Sequence, residues 1–165
     1  MNNAFPRPRP VWPTILLAGL VVGVLDITDP IVFYHFRGVA AIRIPQSIAA
    51  GWLGRDAFNG GWPAAALGLA SHFLIATTAA AVFVLASRRW TMLAAYPWFF
   101  GAAYGLGVFF FMNFIVVPLS HTPPPRFTWP VTLNLLFAHV CLIGWPIGFF
   151  ARRAAAPNWP APDGV

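Results

Sequence analysis

Apolar residues run through this chain in long unbroken stretches, not in the alternation of a strand or the one-sided stripe of a soluble helix. Four stretches reach the roughly 20 largely apolar residues that a helix needs to cross a bilayer: about 13–36, 63–86, 97–119 and 130–151. Each opens on an aromatic residue followed by proline: Trp12-Pro13, Trp62-Pro63, Tyr96-Pro97 and Trp129-Pro130. Proline suits the first turn of a helix because its missing N–H would be unpaired there in any case. An aromatic ring with a polar edge suits the headgroup layer. The pattern predicts an all-α protein, a four-helix transmembrane bundle.

Between the first two spans, about 37–62, the connection is too long for a simple turn. Ile44, Ile48 and Trp52 recur at i, i+4 and i+8, with Pro45 placed to open a helix and Gly54 to close it. A short amphipathic helix over about 45–53 is expected there, lying on the membrane or across the mouth of the bundle. The last connection carries Pro123-Pro124-Pro125, a stiff polyproline stretch. The segments 1–12 and 154–165 are rich in proline and poor in apolar clusters, so mobile tails are expected around a membrane domain at 13–153.

Composition agrees with this picture. Of 165 residues 59% are hydrophobic and 8% charged, against about 25% charged in soluble domains. Mean hydropathy is +0.70. A disordered chain and a water-soluble globule are both excluded, and the lipid bilayer is the first partner. All ten basic residues are arginine and all four acids aspartate, for a net charge of +6. The arginines sit singly or in pairs between the apolar runs, which sets orientation in a membrane and argues against nucleic acid as a partner. Arg7, Arg9, Arg88, Arg89, Arg152 and Arg153 fall on one side; Arg37, Arg43, Arg55 and Arg126 fall on the other. The larger group places both termini in the cytoplasm. The first apolar run follows arginines as a signal peptide would, but it lacks a small-residue cleavage site and is expected to stay as an anchor. Cys141 is the single cysteine, so no intrachain disulfide or CxxC motif exists.

Helices in lipid associate through small residues. Gly19 and Gly23, Gly101 and Gly105, and Gly144 and Gly148 each form GxxxG, while Gly68 stands in an alanine-rich second span. Gly19, Gly23, Asp26 and Pro30 share one helical stripe, which turns Asp26 toward the bundle interior. Gly68, His72 and Ala76 share another.

Ionisable groups inside a span are costly and are functional candidates for that reason. Asp26 and Asp29 lie in the first span, His72 in the second and His139 in the fourth. Counted from the outer ends, Asp26, His72 and His139 lie at one depth, about 14 Å inward at 1.5 Å per residue. They are expected to form a shared polar layer, with Asp29, Asn113 and Asn134 lining the approach from outside. Pro30 and Pro146 remove the donors to the carbonyls of Asp26 and Leu142, so kinks are expected at both.

Such a layer has several readings. Interhelical hydrogen bonding that specifies packing is the simplest. A proton or ion pathway is the second, because an aspartic acid beside a neutral histidine passes a proton with little net change of charge. A divalent metal on Asp26, Asp29, His72 and His139, or a b-type haem between His72 and His139, would make the protein a redox subunit. The default remains no cofactor, and no catalytic residue is assigned. Ser71, Ser120 and Cys141 lack the context of an activated nucleophile. His35 and His121 are expected at the membrane surface, and Arg55 and Asp56 are expected to pair in the loop. A non-catalytic accessory subunit of a membrane complex, or a homo-oligomer, also fits.

Ser71-His72-Phe73, Pro118-Leu119 with Thr122-Pro123-Pro124, and Leu136-Phe137-Ala138-His139 resemble the YagU-like bacterial inner-membrane proteins. The resemblance covers about the last 100 residues, and the first outer connection here is shorter than the family pattern. It implies an inner-membrane location and draws attention to His72 and His139. It implies no reaction.

Overall fold

The computed structural model describes residues 11–124 and 127–155. Most of each expected tail, and Arg126, lie outside the described residues. The elements in order are α1 (Val11–His35), α2 (Arg43–Leu53), a 3₁₀ turn (Gly54–Asn59), α3 (Gly61–Arg89), α4 (Met92–Ala95), α5 (Pro97–Leu119) and α6 (Trp129–Ala154). There is no strand among the described residues. Four helices, α1, α3, α5 and α6, are long and apolar enough to cross a membrane. The chain is an all-α four-helix bundle and a multi-pass membrane protein.

The bundle has two ends that differ in construction. At the base, where α1 and α5 begin, α3 and α6 close on Arg88-Arg89 and Arg152-Arg153. These cations suit the partial negative charge of a helix C-terminus. The main core lies toward this end. It joins Ile15 and Val22 of α1, Phe83 and Val84 of α3, and Ile147 of α6. Tyr104 of α5 packs on Phe83 and donates its hydroxyl to the Ala79 carbonyl at 2.7 Å.

Glycine permits the closest helix approaches. A Cβ on Gly19 would run into Thr77, and one on Gly23 into the Phe73 ring, so α1 lies directly against α3. A Cβ on Gly101 or Gly105 would meet the backbone of Gly144 or His139, so α5 and α6 touch backbone to backbone. Without a hydrophobic drive between helices in lipid, this close contact is what association rests on.

At the opposite end, the mouth, α2 lies across the bundle. Gly68 of α3 accepts the Pro45 carbonyl of α2 in the space a side chain would take. Gln46 Nε2 donates to the Gly61 carbonyl at 3.1 Å, Arg43 to the Phe58 carbonyl at 2.8 Å, and Trp52 Nε1 to Ser71 Oγ at 3.0 Å. From the last connection, the His121 N–H donates to the Gly51 carbonyl at 3.1 Å.

The expected amphipathic helix is present, and its Ile44 and Ile48 face the mouth of the bundle, lining the space beneath, while Trp52 is 67% exposed. Ala49 and Ala50, on the neighbouring side, are sealed, and their small side chains let α2 come down onto α3. Arg55 and Asp56 do not pair: among the described residues the one carboxylate–base pair is Asp26 with His72.

Two of the spans contain wide turns with π-type hydrogen bonding, at Met112–Val116 in α5 and Ala138–Gly144 in α6. Each is followed closely by a proline, Pro118 and Pro146. A wide turn hands the carbonyl that proline cannot serve to the next N–H along, so the backbone stays paired in lipid. A kink was expected at Pro146; a widened turn just before it is what forms. Pro30 has no such turn, and α1 runs through it as one helix from Val11 to His35.

Candidate functional site

Beneath α2, the four spans leave a cavity of about 310 Å³. Asp26, Asp29, His72, Asn113, Asn134 and His139 all line it, together with apolar side chains such as Ile44, Ile75 and Leu135. The volume is at the small end of the range for small-molecule sites. The residues come from α1, α3, α5 and α6, so the site exists only when the bundle is assembled.

Asp26 stands one helical turn beyond Gly23 on α1, on the side that meets α3. His72 faces it there. The His72 ring places Nε2 at 2.9 Å from the Gly23 carbonyl and Nδ1 at 4.0 Å from Asp26 Oδ2. A carbonyl only accepts, so Nε2 carries a proton, and when the ring is neutral Nδ1 is the lone pair turned to the carboxyl group. The ring is buried, and Asp26 keeps 24% of its side chain open to the cavity. The 4.0 Å separation exceeds a hydrogen bond; one bridging water or a small rotation spans it.

His139 is held in the same manner by its own helix. Its Nδ1 lies 2.8 Å from the Leu135 carbonyl, so Nδ1 carries a proton, and when the ring is neutral Nε2 is bare. The ring packs edge-on against Phe109. His139 shares the cavity with Asp26 without a direct hydrogen bond to it.

Nearer the mouth, Asn134 Nδ2 donates to Asp29 Oδ2 at 2.6 Å and joins α6 to α1. Asn113 turns back on α5 and donates to the Phe109 carbonyl at 2.9 Å. Asn113 and His139 occupy equivalent places. Each is the second residue of a wide turn, and each bonds the carbonyl four residues back. Each of those carbonyls also accepts a backbone N–H from three residues on, Met112 or Ala138, and the side chain adds a second donor.

Sequence reasoning missed several participants. Ser47 of α2 lines the cavity and donates its hydroxyl to the Ile44 carbonyl at 2.7 Å. Its place three residues after Ile44 was the available signal. Tyr104 was readable as a buried phenol that needs an acceptor. Gln46, buried with Oε1 unpaired, was not flagged either.

Other candidate chemistry finds no support in the geometry. Among the described residues no three His, Cys, Asp or Glu side chains meet at metal-ligand spacing. Ser71 donates to the Leu67 carbonyl, Ser120 to the Val117 carbonyl, and neither has a base as partner. His35 and His121 are exposed. No family model, curated protein or solved structure matches this chain.

Proposed function

We propose that this membrane protein takes up and releases protons at Asp26, with His72 as the exchanging partner and His139 as a second acceptor, as part of a proton pathway or a proton-coupled transport step. The observation that carries the reading is the locked pair of imidazoles. Each spends its N–H on a backbone carbonyl and offers a bare nitrogen to one small cavity that also holds Asp26. A proton leaving the Asp26 carboxyl binds His72 Nδ1. The neutral pair becomes a carboxylate beside an imidazolium, and the same step reversed restores it. Asp29 and Asn134, on the mouth side, lie on the way by which water would reach the pair.

The arginine distribution and the YagU-like resemblance support a bacterial inner membrane with both termini cytoplasmic and α2 at the periplasmic face. Asp26 exchange would then be with the periplasm.

Infrared pH titration of the protein in lipid tests the reading. The carbonyl stretch of a protonated carboxyl should vanish as pH rises, be missing in Asp26→Asn, and titrate at a displaced pH in His72→Gln. Both variants keep hydrogen-bonding capacity, so melting temperatures should stay near normal. If Asp26→Asn leaves the spectrum unchanged at every pH, the layer only specifies packing.

A further inference from the structure

The polar cavity does not end at its own walls. Ser47, Ile48, Ile75, Met112, Asn113 and Leu135 line it on one side and also line a second, larger groove of about 890 Å³. This groove runs between α3 and α5 toward the mouth. Those two helices meet through Tyr104, Ala79 and Phe83 nearer the base, and stand apart beyond that. α2 roofs the gap. Its walls are mostly apolar, with Ser71, Ser120, His121 and Thr122 among them, and open sideways: Leu74 is 68% exposed and Leu119 83%. A molecule dissolved in the bilayer could enter between α3 and α5 without passing through water.

The polar end of this path has a definite hydrogen-bonding character. His72, His139, Ser47, Asn113 and Asn134 each commit a donor to a protein acceptor. Toward the cavity the neutral rings leave Nδ1 of His72 and Nε2 of His139 as acceptors, and Asn113 and Asn134 keep an amide oxygen and one N–H each, beside the carboxyl groups of Asp26 and Asp29. Two acids share the cavity, and no arginine lines it, so an anion would find no charge complement there. A cation that donates hydrogen bonds matches the sign of the two acids and the acceptors beside them.

We propose that the groove and cavity together bind a lipophilic primary amine in its ammonium form, its chain between α3 and α5 and its head among Asp26, Asp29, His72 and His139. The proposal deepens the proton-exchange reading and rests on it in one respect: the ammonium and the Asp26 proton compete for the same carboxyl, so binding of one releases the other. An amine would leave, and a proton arrive, at a single site.

The test uses the full chain in lipid nanodiscs with three probes of equal chain length, dodecylammonium, dodecanol and dodecanoate, each corrected for partition into empty nanodiscs. Dodecylammonium should bind saturably, about tenfold or more tighter than dodecanol, as expected for charge-assisted hydrogen bonds. Dodecanoate should show no saturable binding. Asp26→Asn should weaken the ammonium about tenfold and leave dodecanol unchanged, and Ile75→Trp, which fills the groove, should weaken both. Asp56→Asn, in the 3₁₀ turn, should change nothing. Equal binding of dodecanoate, or unchanged ammonium affinity in both Asp26→Asn and Asp29→Asn, would overturn the proposal. The two readings fail separately. Saturable ammonium binding with no titrating carboxyl removes the proton exchange alone; a titrating Asp26 with no saturable binding removes the amine site alone.

Discussion

A buried imidazole declares which nitrogen is free by what it does with the other. His72 and His139 both use a backbone carbonyl for this, His139 one of its own helix at a wide turn and His72 one across the contact of α1 with α3. The Gly23 carbonyl is open to His72 because Gly23 has no side chain and α3 lies against it. The glycines are therefore part of the site as well as of the packing. Gly105 is a sharp case. A Cβ there would collide with the His139 carbonyl and come within 3.1 Å of Gly144 Cα, both of them backbone. Gly105→Ala should lower stability in detergent by about 1–3 kcal/mol, the usual cost of overpacking a tight contact. Gly107, two residues on, has nothing within 4 Å of its missing Cβ. Gly107→Ala should be neutral or slightly stabilising, since alanine is the better helix former. Paired melting curves check both; equal losses would mean that helix flexibility and not contact is at stake.

At the scale of elements, α2 is the part whose role depends most on a single residue. It rests on α3 where Gly68 takes in the Pro45 carbonyl, and the side-chain hydrogen bonds by which it reaches out run to α3 or to the 3₁₀ turn that leads into it. Gly68→Leu should lift α2 from the mouth while the spans stay folded. In proteoliposomes, trypsin added on the α2 side should then cut after Arg43 and Arg55 several-fold faster than in the native protein. Gly51→Ala, whose Cβ would find ordinary contacts at 3.6 Å, serves as the control. The existence of α2 and of the four spans was legible in hydropathy, prolines and glycines. So was the gathering of Asp26, His72 and His139, because depth and helical stripe are both simple functions of position. The closeness of α2 to α3 was not, since the pattern weighs Ile44, Ile48 and Trp52 by hydrophobicity, whereas close approach is decided by the smallness of Ala49 and Ala50. The wide turns were not legible either. They leave composition and hydropathy untouched, and their one mark is a polar residue, Asn113 or His139, shortly before a proline.

For the whole molecule, the decisive feature is the difference between its two ends. At the base, Ile15, Val84 and Ile147 are sealed together and α3 meets α5 through Tyr104. Toward the mouth the same helices part around the cavity and the groove. The polar layer thus lies at the floor of a space that is closed below and roofed above by a short helix. Access should be one-sided. A cysteine at Asn113, in a Cys141→Ser background, should react with a membrane-impermeant thiol reagent added on the α2 side and resist the same reagent on the other. Adding Gly68→Leu should speed that reaction without making it two-sided, because the base core is untouched. Reaction from both sides at similar rates would mean that water passes the Tyr104 contact, and the bundle would then be a through-path and not a site open to one face. The tight base favours the one-sided result: opening it requires separating Ile147 from Val84 and Ile15, and losing packing of that kind typically costs about 2–5 kcal/mol even for one large side chain.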